Sequence, residues 1–112
     1  MCEFKVYSGP EGRQQLIAED IINAKLDENS VVLSDILGGT TKVEGALIAE
    51  VDVKKESLRV YSSPFIFDLF TFFVSCERRD RRPIDQLEST WKALKKRGDQ
   101  VIGSLKSTKE GA

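Results

Sequence analysis

The sequence predicts a mainly β protein with a C-terminal α extension: a small antiparallel β-barrel of six or seven strands over residues 1–62, then two or three helices over residues 63–112. Three observations predict it. Short runs of alternating apolar and polar residues, each ended by turn residues, fill the first sixty positions. After Ser63-Pro64 the apolar spacing changes to a helical three-four repeat. The charge balance changes at the same place: residues 1–62 hold eleven acids and seven bases, and residues 63–112 hold seven acids and ten bases, so local balances of −4 and +3 lie within a net charge of −1. A chain of 112 residues, 40% hydrophobic and 31% charged, has the composition of one modest globular domain, or a small domain with an appendage.

Taken in order, Glu3 to Tyr7 alternates with Phe4 and Val6 on one face, as a half-buried strand does. Ser8 to Gly12 is a turn by composition. Gln15 to Asn23 contains a second and even a third strand, continued by Ala24 to Leu26. Asp27 to Ser30 turns the chain into the returning arm Val31 to Ile36, and Leu37 to Thr40 is the next turn. Thr41 to Glu44 makes a short strand, and Gly45 suits a bulge or a barrel corner. Ala46 to Val53 and Leu58 to Tyr61 close the set around the turn Lys54 to Ser57.

Ser63-Pro64 then reads as a cap followed by proline at the first helical position. Five of the six phenylalanines lie between Phe65 and Phe73, and a helix so apolar all round must be covered by the barrel, by the last helix or by a second subunit. A strand is the lesser alternative for this stretch. Cys76 ends it as a structural thiol. Beyond Pro83, residues Ile84, Leu87, Trp91, Leu94, Val101 and Leu105 form a seam that can pair with another helix. Its missing member, Gly98, is a candidate cap between two helical segments, and Ser107 to Ala112 should fray.

The chain contains no histidine, which removes Ser-His-Asp triads, Cys-His pairs and imidazole metal ligands together. No carboxylate pair has diagnostic spacing; Asp35, Glu50 and Asp52 are isolated at strand edges. Gly38-Gly39 lacks the lysine of a phosphate loop and is explained by a turn. Without histidine most hydrolytic mechanisms are excluded, and Cys2 and the carboxylates are what remain. Cys2 is the candidate for metal chemistry, because its sulfur and a neighbouring backbone or terminal nitrogen offer two donors on one short arm. Two such arms across a homodimer would supply two sulfurs and two nitrogens, suited in a plane to Ni(II) or Cu(II) and in a tetrahedron to zinc. The alternative for Cys2 is an idle or simply buried thiol. Arg78, Arg79, Arg81 and Arg82 form the one dense basic cluster, suited to RNA phosphates or, alternatively, to a solvated loop between helices.

The order of these segments resembles the CooT family of small proteins, also catalogued, especially in archaea, as predicted RNA-binding proteins. The resemblance rests on Met1-Cys2-Glu3-Phe4-Lys5-Val6-Tyr7, Ala18-Glu19-Asp20-Ile21, Val31 to Gly38, Val43-Glu44-Gly45-Ala46 and Glu50-Val51-Asp52-Val53, and covers about residues 1–62. It implies a small β-barrel homodimer that binds one Ni(II) at its interface through Cys2. It further implies a link to nickel delivery for a client metalloenzyme, carbon monoxide dehydrogenase, as a metallochaperone. An RNA-binding module using Arg78, Arg79, Arg81 and Arg82 and the barrel surface is the alternative function. No stretch is long and apolar enough to span a bilayer, no signal peptide opens the chain, and two distant cysteines form no disulfide framework, so a cytoplasmic setting is expected.

Overall fold

A computed structural model describes residues 3–78 and 82–110, the last two by their backbone alone. Six strands and two helices follow one another: β1 (Phe4–Ser8), β2 (Gln15–Asp27), β3 (Ser30–Asp35), β4 (Thr40–Glu44), β5 (Ala46–Asp52), β6 (Ser57–Ser62), α1 (Pro64–Glu77) and α2 (Ile84–Glu110). The strands form one sheet in the order β4-β3-β2-β1-β6-β5.

The expected antiparallel barrel is corrected on two counts. The sheet is mixed, because β1 pairs in parallel with β6 while every other pairing is antiparallel. Nor is it closed: its edge strands β4 and β5 do not pair with each other. Their covalent link explains this. A hairpin needs a connection of at least about two residues, whereas Gly45 alone separates β4 from β5. At φ +59° it turns the chain from one edge of the sheet to the other.

The sheet curls around its own apolar face. Val6, Val31, Leu33, Ala46 and Val60, drawn from β1, β3, β5 and β6, are almost wholly buried together. Burial alternates along β6, where Leu58 and Val60 point inward, as the period-two pattern requires. The region read as a second and even a third strand is one 13-residue strand, β2. It bends at Asp20, whose φ is +59°, and its pairing with β3 slips between Ile21 and Asn23.

α1 starts as its sequence dictates: Pro64 opens the helix, and the Ser63 hydroxyl accepts a hydrogen bond from the Ile66 amide at 3.1 Å. The Phe65 to Phe73 stretch is thereby helical, not extended. α2 lies antiparallel to α1. Phe72 meets Trp91 with ring centroids 5.3 Å apart, the Arg97 guanidinium binds the Asp68 carboxylate at 3.0 Å, and the Phe65 ring lies beside Gly98. Gly98 does not end a helix. A Cβ there would lie 3.8 Å from the Phe65 ring, an ordinary contact, and α2 continues unbroken from Ile84 to Glu110.

Candidate metal centre

The segment after Cys2 is held at its first residues. Phe4 pairs with Ile21 of β2, and Lys5 pairs with Ser57 of β6. The Lys5 amide donates to the Glu56 carbonyl at 3.0 Å, which fixes the start of β1 to the turn between β5 and β6. Phe4 lines a small hollow of about 130 Å³ with Ile21, Ala24, Val51 and Leu58. β1 therefore begins beside an apolar hollow, at the end of β6 opposite to the one that leads into α1. Cys2 itself lies outside the described residues.

Among the described residues no three His, Cys, Asp or Glu side chains gather as a metal site would require. The isolated carboxylates have local duties instead. The Asp35 carboxylate accepts from the Leu37 and Gly39 amides at 2.8 and 2.9 Å, and Asp52 accepts from the Lys55 amide at 3.0 Å, so both shape turns. A Cβ at Gly39 would stand 2.8 Å from an Asp35 carboxylate oxygen, so a side chain there would push the carboxylate out of this turn. Arg59 reaches the Gly9 carbonyl at 3.4 Å and lies over the Tyr61 ring at 5.1 Å. Its pKa is raised above the ordinary guanidinium value, first by hydrogen bonding to Tyr61 and further by the Glu50 and Glu11 carboxylates, so it stays a fixed cation.

The arginine cluster divides. Arg79 and Arg81 lie outside the described residues. Arg78 and Arg82 both bind Oε1 of Glu28, each at 2.9 Å, and Arg82 also donates to the hydroxyl of the fully buried Ser75 at 2.7 Å. These two guanidiniums clamp the loop after α1 onto the β2–β3 turn, where the Asn29 amide also donates to the Thr71 hydroxyl at 3.0 Å. Their first engagement is internal, not with a phosphate backbone. No local pattern announces this clamp, because Glu28 sits 50 positions before Arg78. The only sequence cue is an acid in a turn and a cluster of bases elsewhere. Cys76, expected as a structural thiol, is exposed.

No helix among the described residues is long and apolar enough to cross a membrane. The family model described as CO dehydrogenase accessory protein CooT matches residues 1–60. A crystal structure of a provisionally assigned CooT from Carboxydothermus hydrogenoformans has a similar fold over part of the chain. It aligns with a TM-score of 0.50 at 18% identity, covering 55% of this chain and 98% of its own. Neither description mentions RNA or an archaeal source. No curated protein matches the chain.

Proposed function

Since the chain belongs to the CooT family of CO dehydrogenase accessory proteins, we propose that it binds Ni(II) and passes the ion to a client metalloenzyme of that kind. CO dehydrogenase is a nickel enzyme, so nickel is the cargo an accessory protein of this family would carry. The observation that carries the reading is the extent of the family match, which begins at residue 1 and so takes in the Met1-Cys2 opening.

The donor set supports a shared site. With no histidine in the chain, the soft thiolate of Cys2 and an adjacent nitrogen are the donors best suited to Ni(II), and one arm offers only these two. Two protomers related by a two-fold axis bring four donors together, enough for a planar complex. Such a site forms and breaks as two arms meet and part, which suits release to a client better than a closed cage does. The role is delivery, not catalysis, and its setting is the cytoplasm. The start of β1 serves this role by anchoring each arm three residues after the ligand, through the Lys5–Glu56 hydrogen bond.

The test is a nickel titration followed by thiolate-to-metal absorption, in wild type and Cys2→Ser. The wild-type band should saturate and be absent from the variant. Nickel binding of equal strength in both proteins would rule out Cys2 as the ligand.

A further inference from the structure

The two helices lie beyond the residues matched by the family, and they are incompletely covered. α1 is far more apolar than α2, yet its one fully buried residue is Ser75. α2 packs along α1, and α1 in turn packs on β5. At 27 residues against 14, α2 is about 40 Å long and its cover about 21 Å. The molecule is correspondingly flat and extended, at 47 × 45 × 20 Å with a radius of gyration of 16.6 Å, where a compact domain of this length has about 13 Å.

Leu94, which is buried, and Gly98 mark the side of α2 that faces α1. About a quarter of a turn away runs a second stripe: Ile84, Glu88, Trp91, Lys95, Asp99, Ile102 and Lys106, spaced three and four residues apart. All seven are exposed. Ile84, Trp91 and Ile102 are 67%, 49% and 54% accessible, and the four charged members enter no ion pair among the described residues.

We propose that this stripe is a self-association surface, on which α2 of a second copy of the chain lies antiparallel. The charges select this occupant and its direction. In the fully overlapped antiparallel register, Glu88 of one copy faces Lys106 of the other, and Lys95 faces Asp99. A two-fold axis makes each pair twice. Trp91 of one copy then lies within one position of Ile102 of the other, so the two exposed apolar side chains meet across the axis. A parallel register would set Glu88 against Glu88 and Lys95 against Lys95, which is repulsive. Trp91 and Ile102 supply the apolar contact between the charged positions. This interface is separate from the amino-terminal arms, because α1 begins at the end of β6 opposite to the one that holds Lys5.

Sedimentation equilibrium of the full chain, with chelator and reductant present, tests the proposal in wild type, Cys2→Ser, Glu88→Lys and the double variant Glu88→Lys/Lys106→Glu. Wild type and Cys2→Ser should dimerise equally. Glu88→Lys should weaken the dimer on the order of tenfold, and the double variant should restore it to within about threefold of wild type. Far-UV circular dichroism should show unchanged helix content in every variant, since the substituted side chains are exposed. A monomeric wild type at roughly 0.5 mM would overturn the proposal. So would a dimer lost in Cys2→Ser, which assigns association to the arms instead, a dimer indifferent to Glu88→Lys, or a double variant that fails to recover.

Discussion

Arg82 and Glu28, 54 positions apart in sequence, are joined by a 2.9 Å ion pair that ties the loop before α2 to the tip of the β2–β3 hairpin. Arg78 shares the same carboxylate oxygen. The Glu28 side chain is 45% exposed, so water screens the pair and its contribution is modest. Glu28→Ala should lower stability by about 1 kcal/mol. Arg82→Ala should cost more, about 1–2 kcal/mol, because the Ser75 hydroxyl is fully buried and loses its donor. Urea unfolding of both variants checks the order; equal stabilities for wild type and Arg82→Ala would contradict it.

Gly45 sits at the chain's passage from one sheet edge to the other, with no room for a side chain. A Cβ there would stand 2.7 Å from the Ser63 carbonyl oxygen and 2.9 Å from the Phe67 Cβ, at a φ of +59°. Gly45→Ala should therefore destabilise by about 2–4 kcal/mol. Thermal unfolding measures it, and a melting temperature within a degree or so of wild type would show that the corner tolerates a side chain.

Ser63→Ala removes the hydroxyl that caps α1. The loss should be about 1 kcal/mol, with Ser63→Asp close to wild type, because a carboxylate can accept the same bond from the Ile66 amide. Chemical denaturation of the three proteins distinguishes capping from simple loss of packing, which Asp would not repair.

Two leucines four positions apart should behave oppositely. Leu33 is wholly buried in β3, and Leu37 is 91% exposed in the following turn. Leu33→Ala should cost about 2.5–4 kcal/mol, and Leu37→Ala less than about 0.5 kcal/mol. Comparable unfolding midpoints for the two would place the core elsewhere.

The sequence was most legible where the signal is local. Ser63-Pro64 marks the start of α1, and the alternation of Phe4, Val6, Leu58 and Val60 finds strands with the correct faces. Pairing between distant strands has no such signature. The parallel β1–β6 ladder joins positions more than fifty residues apart, and nothing in Lys5 or Ser57 distinguishes it from an antiparallel one. Gly45 reads correctly as a corner, but a corner is compatible with both a closed barrel and an open curled sheet. Gly98 misleads for a different reason. A glycine that ends a helix and a glycine inside one that packs beside Phe65 look alike in sequence, and only the continuous helix decides between them. For the site, Cys2 stands out by chemistry alone. The commitment of Arg78 and Arg82 to Glu28 emerges only in three dimensions.

The most direct test of nickel delivery through paired arms is native mass spectrometry of the nickel-loaded protein, which reads metal and chain stoichiometry together. One Ni(II) for every two chains, lost in Cys2→Ser, is the predicted result. One Ni(II) per single chain, or the same loading in the variant, would contradict it.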